Sequence, residues 1–290
     1  EIRIKKGVPA GFGMGSSAAS AAAAAFAWAG DGKRPPGRIV FTGSQRSSDR
    51  GSTDGTENLI AAVHWAAHGP APTGENGDAS VIIMHAGNDD GVCAVMPGCS
   101  TRKFHSSKRD AFQGINTQPL GTIAVNRGGE CVIDVEAEVP TRPEASEPIA
   151  FDENTRILQL VAGAHLYADQ VELAANYDAI LFHGTGLGHL PIEDPKGDSP
   201  ENLAMRKAVT DYCANGGVAV MVTQCIHGPI HMDVYSKGRE QQELGVIGNH
   251  ATTGPDAALV KLHFLLSTGQ DVQTGWNANL CGENTSSIFN

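Results

Sequence analysis

A short apolar run that passes directly into a dense polar loop constrains the fold of this chain more than any other stretch. Residues 39–41 are Ile-Val-Phe, and Gly43 closes the run, which is typical of a buried strand ending in a turn. Seven hydrogen-bonding residues follow at positions 44–50, before an apolar helix pattern near Leu59. Such a loop either caps the following helix with its Asp and Ser side chains or binds a ligand, and both interpretations stay open.

The rest of the chain repeats this alternation of strands and helices. The continuous apolar run at residues 81–84 predicts a strand buried on both faces of a parallel sheet, so residues 39–84 predict a βαβ unit. Further strands are expected at residues 131–139 (a sheet edge), 157–160, 177–182 and 218–222, and helices at 166–175, 202–213 and 255–266. The pattern predicts an α/β fold in two domains with parallel-sheet βα units.

Residues 136–148 contain three prolines and four glutamates and indicate a linker, with a domain boundary near Pro148. We therefore expect three segments. These are an atypical N-terminal segment (1–37), a first domain (38–147) and a second domain (148–290). Polar or glycine-rich loops follow the predicted strand ends at Phe41, His85 and His183, which we expect to face a common cleft.

Composition narrows the class of protein. The net charge of −11 and the pI near 5.4 argue against nucleic acid binding over the whole surface of the 290 residues. The six cysteines lack CxxC spacing, so we expect buried free thiols in a reducing compartment, with no metal site and no cofactor. No run of eighteen apolar residues predicts a membrane span, and the expected location is the cytoplasm.

The N-terminal residues carry a motif of their own. A glycine-rich turn that includes Gly13 and Gly15 leads to Ser16 and Ser17 at the start of an alanine-rich helix, a pattern that favours an anion. Residues 9–20 resemble the phosphate loop of the GHMP kinases, homoserine kinase above all, which would imply ATP binding. The alternatives are a strand, turn and alanine-rich helix packed beside the main domain, or a segment joined from another gene.

A second resemblance covers most of the chain. The sequence TGSQRSSDR, followed by Asp54, Asn58 and Leu59, resembles the type I/II asparaginase superfamily, and specifically its archaeal branch, the D subunit of glutamyl-tRNA(Gln) amidotransferase. The resemblance runs from about Arg38 to the C-terminus and implies an asparaginase-like fold. It assigns substrate contacts to the polar loop and to a later glycine-rich segment, at Ser44, Gln45, Arg46, Ser47, Asp49 and Thr185.

The same resemblance assigns a catalytic lysine, but the threonine that this lysine would activate is not found. Residues 102–112, RKFHSSKRDAF, are similar to the family's catalytic-lysine segment and place Lys103 on the lysine that activates a threonine. The family's first threonine motif is not found upstream of residue 38. When Met14 is placed on the methionine of the second motif, the Thr-Asp-Thr positions become Gly11, Phe12 and Gly13.

Three functional hypotheses follow. By resemblance, the chain is a glutaminase or asparaginase-type subunit that acts on glutamine or asparagine and supplies ammonia for converting Glu-tRNA(Gln) to Gln-tRNA(Gln). Its expected partners are a second copy in a homodimer, the amidotransferase E subunit and, through it, tRNA. The alternatives are a non-catalytic scaffold or dimerisation subunit, and a fusion with a nucleotide-binding phosphate loop. Loss of the threonines predicts weak or absent turnover.

Overall fold

The computed structural model describes residues 16–30, 37–72, 79–135 and 148–285, with side chains from Ala18 onward. The chain forms two compact units, unit 1 (Glu1–Ile149) and unit 2 (Ala150–Asn290). The predicted linker at residues 136–148 lies almost entirely outside the described residues.

A mixed five-stranded sheet forms the centre of unit 1. Its strands, in the order in which they lie side by side, are β1 (Val40–Phe41), β2 (Val81–His85), β3 (Val92–Pro97), β6 (Gly121–Val125) and β7 (Cys131–Val135). Strands β1 and β2 are parallel and are joined by helix α2 (Gly55–His68), so the predicted βαβ unit is confirmed. The other pairings are antiparallel, and β7 lies at the edge as its alternating pattern predicted. Because β1 and β2 are parallel, the strand ends at Phe41 and His85 lie at the same edge of the sheet.

Helices cover both faces of this sheet. Successive side chains of a strand point to opposite faces, and in β2 Val81 and Ile83 pack with Trp65 of α2. Ile82 and Met84 instead pack against helix α1 (Ser16–Ala29). The alanine-rich segment therefore forms the predicted helix, and its small side chains let it lie close to the sheet.

A two-stranded hairpin follows the third strand of the sheet. Strands β4 (Thr101–Lys103) and β5 (Phe112–Gly114) are antiparallel, and a 3₁₀ turn, Gly98–Ser100, connects β3 to β4. Lys103 pairs with Phe112, which is buried in the same apolar cluster as α1 and β2. The hairpin is thereby anchored in the core of unit 1.

Unit 2 is built on three parallel strands in the order β10 (Val218–Thr223), β9 (Ala179–Gly184), β8 (Ile157–Val161). Its helices are α3 (Ala168–Glu172), α4 (Pro200–Ala214), α5 (Ser236–Glu243), α6 (Pro255–Thr268) and α7 (Val272–Asn277). The predicted helix at residues 166–175 is wrong in extent. It begins at Ala168, because Tyr167 is extended and its N–H donates to Gln170 Oε1 (2.8 Å), and it gives way to a 3₁₀ turn at Leu173.

A buried charge pair ties the C-terminal segment of unit 2 to α6. The Lys261 ammonium donates to Glu283 Oε1 (2.6 Å) and to the carbonyl oxygens of Trp276 (2.7 Å) and Ala278 (2.6 Å). Both charged side chains are completely buried. A buried ion pair is tolerated where further hydrogen bonds satisfy each partner, so the pair holds this segment against the helix.

The expectation of six buried thiols is only partly right. All six cysteines are free, and Cys93, Cys99 and Cys281 are buried, but Cys131 and Cys213 are half-buried. Cys225 is exposed because it lies in the loop that leaves the sheet after β10. Burial raises the pKa of Cys93 to about 12, so this thiol stays protonated. Among the described helices, none has the length and apolar character that crossing a membrane would require.

Candidate functional site

The polar loop, residues 43–54, is organised by one buried carboxylate at its end. Asp54 is fully buried and accepts hydrogen bonds from the Ser44 hydroxyl (2.9 Å) and from the backbone N–H groups of Gln45 (2.9 Å) and Arg46 (3.0 Å). Burial raises the pKa of Asp54, but the bonds from Gln45, Arg46 and Ser44 outweigh this effect and hold the pKa below its usual value. Asp54 is therefore an ionised anchor for the start of the loop.

This use of Asp54 differs from helix capping. Asp54 occupies the N-cap position of α2, yet its carboxylate makes no bond to the helix backbone. The hydroxyl of Thr53 accepts from Gly55 N–H instead (3.2 Å). The capping interpretation is thus wrong for Asp54, because the loop backbone already occupies both of its oxygens.

A chain of buried polar groups extends from Asp54 to the end of β2. The Asn58 amide donates to Asp54 Oδ2 (3.0 Å) and to the Gly43 carbonyl (2.9 Å), and its oxygen lies 2.7 Å from His85 Nδ1. His85 is buried, and its Nε2 lies 3.0 Å from Glu57 Oε2. These hydrogen bonds connect the polar loop, α2 and the end of β2. Because the groups are buried, they restrict one another to a single arrangement.

Arg109 clamps the polar loop to the lysine hairpin, residues 101–114. Its guanidinium donates to the Ser52 carbonyl from Nη2 (2.9 Å) and to the Asn88 carbonyl from Nη1 (3.3 Å), and it forms an ion pair with Asp90. The arginine is buried, and its bond and charge hold the pKa of Asp90 below its usual range. The fork of donors suits this three-sided contact, which a lysine would not reproduce.

Lys103 lies at the end of β4 beside the core of unit 1. Its side chain is half-buried, and Nζ lies 6.0 Å from the centroid of the Phe112 ring. Helix α1 contacts β4, the strand that carries this lysine. Residues 1–15 and the side chains of Ser16 and Ser17 lie outside the described residues, as do the predicted phosphate-loop glycines Gly13 and Gly15.

The remaining predicted residues of the polar loop divide into two groups. Gln45 and Arg46 are half-buried, and both polar atoms of the Gln45 amide are buried without a hydrogen-bond partner among the described residues. Ser47 and Asp49 are exposed, and neither takes part in the Asp54 network. A buried amide without a partner has unused hydrogen-bonding capacity, so Gln45 is the loop residue best suited to receive a polar ligand.

Unit 2 carries the glycine loop, residues 184–189, after strand β9. Thr185 is exposed, and its N–H and hydroxyl both donate to the His189 carbonyl (3.1 and 3.3 Å). Gly186 and Gly188 have positive φ angles of 53° and 97°, which disfavour other residue types. The hydroxyl of Thr185 thus closes its own turn at the surface of unit 2.

The glycine loop packs closely against Ile230 and Met221. A Cβ atom on Gly188 would lie 2.7 Å from Ile230 Cδ1, and one on Gly184 would lie 2.5 Å from Met221 Sδ. His189, the last residue of the loop, is buried, and desolvation and the charge of Lys237 lower its pKa despite the opposing effect of Glu193. An added Cβ atom at either glycine would therefore force neighbouring atoms to shift.

The residues that organise the site were not among the predicted site residues. Asp54 and Asn58 belong to the motif that carried the resemblance, and their spacing of four residues places them on one face of α2. That spacing was the available signal. Nothing in the sequence pairs Arg109 with the carbonyl of Ser52, fifty-seven positions away.

Comparison with known proteins identifies the family of the chain. Residues 15–134 match the family model for the N-terminal domain of asparaginase, and residues 155–275 match that for the glutaminase/asparaginase C-terminal domain. The chain belongs to the asparaginase family. The first match includes helix α1, so the similarity begins earlier than the predicted start at Arg38.

Two relatives illustrate the similarity in sequence. The D subunit of the glutamyl-tRNA(Gln) amidotransferase of Methanopyrus kandleri is 34% identical over 254 residues, which cover 85% of this chain and 51% of the relative. That of Saccharolobus solfataricus is 35% identical over 252 residues, with 85% and 52% covered. The chain spans about half the length of these relatives. The resemblance to GHMP kinases finds no support in the matches of this asparaginase-family chain.

Two solved structures share the asparaginase-like fold. The thermostable L-asparaginase from Thermococcus kodakarensis has a TM-score of 0.74 and 23% identity, with 95% of this chain and 75% of that chain covered. L-asparaginase I from Vibrio cholerae has a TM-score of 0.72 and 23% identity, with 94% and 75% covered. The predicted asparaginase-like α/β fold is therefore confirmed.

Proposed function

We propose that this chain is the glutaminase or asparaginase-type part of a tRNA-dependent amidotransferase, and that unit 1 binds the amide substrate. The observation that carries the proposal is the set of hydrogen bonds that hold the polar loop. Asp54 holds Ser44 and Gln45 in place, while Arg109 ties the same loop to the hairpin that bears Lys103. A hydroxyl, a buried amide and a cation are groups that recognise a small polar amino acid such as glutamine or asparagine.

The proposed roles rest on the resemblance of the loop and hairpin motifs to those of the family. Ser44, Gln45 and Arg46 are the half-buried residues proposed to contact substrate, and Ser47 and Asp49 are the exposed ones. Lys103 is proposed to accept a proton from an attacking hydroxyl. For unit 2 the resemblance proposes Thr185 as a substrate contact, and this side chain is exposed.

The chemistry needs a nucleophile that these residues do not include. Amide hydrolysis by the covalent route requires a hydroxyl to attack the carbonyl carbon, a base to deprotonate it and donors for the oxyanion. The resemblance places the Thr-Asp-Thr positions of the family on Gly11, Phe12 and Gly13. We therefore expect amide binding with little or no ammonia release by this chain.

The names of the relatives support the choice of amidotransferase. Both amidotransferase relatives are named as one subunit of an enzyme, which implies an assembly with other subunits. We propose a cytoplasmic complex in which a homodimer of this chain contacts the E subunit and, through it, tRNA. The replaced Thr-Asp-Thr positions favour a second candidate, a scaffold that keeps the surfaces for assembly without turnover.

A binding measurement tests the proposed site without relying on turnover. L-glutamine or L-asparagine at millimolar concentration should raise the thermal unfolding midpoint, because a ligand that binds only the native state stabilises it. Ser44→Ala should weaken the apparent affinity obtained from this shift at least tenfold. Ser107→Ala, an exposed serine of the lysine hairpin, is the matched control and should not change it. Absence of a shift with both amino acids would contradict the amide site and favour the scaffold.

A further inference from the structure

Two loops of unit 2, outside the proposed amide site, bring together three side chains with metal-binding atoms. His231 and Asp233 lie in the loop before α5, and His250 lies in the loop before α6. One ligand atom from each lies within 4.8 Å of the others. His250 Nε2 is 3.0 Å and His231 Nδ1 is 3.9 Å from the same carboxylate oxygen, Asp233 Oδ2.

Backbone hydrogen bonds hold the two loops side by side. Ile230 N–H donates to the Ala251 carbonyl (2.9 Å), and His250 N–H donates back to the Ile230 carbonyl (3.0 Å). Met232 N–H donates to the side-chain oxygen of Asn249 (2.7 Å). The three candidate ligands are therefore brought together by the fold and need no large rearrangement to meet a common ion.

A second layer of polar side chains orients the carboxylate. Gln242 donates to Asp233 Oδ1 (3.0 Å), which leaves Oδ2 turned toward the two imidazoles. The Asn249 amide donates to Asp233 Oδ2 (2.9 Å) and lies 3.2 Å from His250 Nε2. Groups that orient ligands in this way are a regular part of metal sites.

An unpartnered nitrogen of His231 and the accessibility of the cluster also favour an ion at this position. Nδ1 of His231 is buried and has no hydrogen-bond partner in the described part of the chain, although its lone pair or proton would ordinarily require one. The side chains remain accessible as a group, since 36% of His231, 48% of Asp233 and 51% of His250 is exposed. An ion from solvent can reach the cluster, and a coordinate bond would satisfy the buried nitrogen.

We propose that His231, Asp233 and His250 bind one Zn²⁺ ion. Two imidazoles and one carboxylate are ligands that zinc accepts, at bond lengths of about 2.0–2.2 Å, and three protein ligands leave a position for water. Two ligands of one ion at such bond lengths lie about 3 Å apart, close to the present separation of His250 Nε2 and Asp233 Oδ2. A cavity of about 300 Å³, lined by Gln242, Asn249 and His250 among others, lies beside the cluster and gives the open position access to solvent. The ion would cross-link the two loops of unit 2.

The test uses the full chain without an affinity tag and Zn²⁺ as the probe. Competition with a chromogenic chelator should give one ion per chain, and Zn²⁺ should raise the thermal unfolding midpoint. His250→Asn should weaken binding at least tenfold, because it removes a ligand while asparagine tolerates the left-handed backbone of this position (φ 70°). Asp233→Asn should have a similar effect through a second ligand.

Two control variants separate this site from other metal-binding groups. His165→Asn removes an exposed histidine of the same unit, and Cys225→Ser removes the exposed thiol. Both should bind Zn²⁺ as the wild-type chain does. No binding by the wild-type chain at millimolar Zn²⁺ would overturn the proposal. It would also be overturned if affinity were unchanged in His250→Asn and Asp233→Asn, or if it were lost in the control variants.

Discussion

The polar loop of unit 1 and the glycine loop of unit 2 follow parallel strands in the same way but are held by opposite means. In the polar loop, a single carboxylate, Asp54, accepts bonds from three consecutive residues and from Asn58. In the glycine loop, a Cβ atom added at Gly184 or Gly188 would press on Met221 or Ile230. One loop depends on charge and hydrogen bonds, the other on shape.

This difference predicts how each loop fails. Loss of the carboxylate leaves several buried donors without an acceptor at once, whereas an added methyl group in the glycine loop displaces a few neighbouring atoms. The polar loop should therefore respond to acid and to polar substitutions, and the glycine loop to changes of volume.

The largest expected effect is that of Asp54→Ala. The change leaves the N–H groups of Gln45 and Arg46 without their acceptor and removes one of the two oxygen acceptors of the Asn58 amide. Each unsatisfied buried group costs about 1–3 kcal/mol. The free energy of unfolding measured in urea should fall by roughly 3 kcal/mol or more. Asp49→Ala, in the exposed part of the same loop, should change it by less than about 0.5 kcal/mol. Equal effects of the two variants would contradict the anchoring role of Asp54.

Gly188→Ala should come next, and Gly228→Ala is its matched control. The two glycines have similar positive φ angles, 97° and 101°, so both variants carry a similar backbone strain. Only at Gly188 does the new Cβ also meet Ile230, at 2.7 Å, while at Gly228 nothing lies within 4 Å. Gly188→Ala should lower the free energy of unfolding by about 1–3 kcal/mol more than Gly228→Ala. The same loss in both would mean that backbone strain, and not packing, limits this loop.

Removal of the Arg109 clamp should have an intermediate effect. Arg109→Ala deprives the Ser52 and Asn88 carbonyls of their donor and should cost about 1–2 kcal/mol of unfolding free energy. Arg109→Lys should recover only part of this loss, because an ammonium cannot reach both carbonyls in the same geometry. Full recovery by lysine would show that charge alone suffices.

The smallest expected effect is on the pH dependence of stability, in which the two loops should act in different pH ranges. The pKa of His189 lies below its usual value of 6.5 in the folded chain, so the unfolded chain binds the proton more readily. Its contribution to stability is present above pH 6.5 and is lost as the pH falls through the folded pKa. Asp54 acts in the same direction only below its usual value of 3.8. His189→Phe should therefore flatten the unfolding free energy just below pH 6.5 and leave the change below pH 3.8 intact, as measured by urea unfolding at a series of pH values.

Apolar patterning predicted buried strands in both units and the long helix of unit 2, but it missed β3 and β6 in the middle of the unit 1 sheet. The runs at residues 81–84 and 218–222 form buried strands, and the helix predicted at residues 255–266 extends only two residues further. The lysine hairpin was not predicted as strands, because Thr101–Lys103 is short and two of its three residues are charged. Helix α5 was missed for a similar reason, since its sequence SKGREQQE has almost no apolar face.

The motif singled out the polar loop, but the contacts that hold the loop were not predicted. Ser44 and Gln45 stay predicted substrate contacts, whereas Asp54 was expected at most to cap a helix and no role was predicted for Asn58. A sequence does not reveal that a carboxylate at a helix start bonds backward to the loop before it, because both arrangements use the same residue types at the same spacing. Contacts over long sequence separation, such as that of Arg109, depend on tertiary structure alone.

Ammonia release is the most direct test of the proposal that the polar loop binds the amide substrate and that Lys103 lacks a nucleophile to activate. Wild-type chain and Lys103→Ala, both verified as folded by a cooperative unfolding transition, should be assayed with L-glutamine and L-asparagine. We predict release at or near background for both, with little difference between them, since a lysine without a hydroxyl partner has nothing to activate. Robust release by the wild-type chain that Lys103→Ala abolishes would contradict this proposal, and Ser16 and Ser17 would then be the first hydroxyls to substitute.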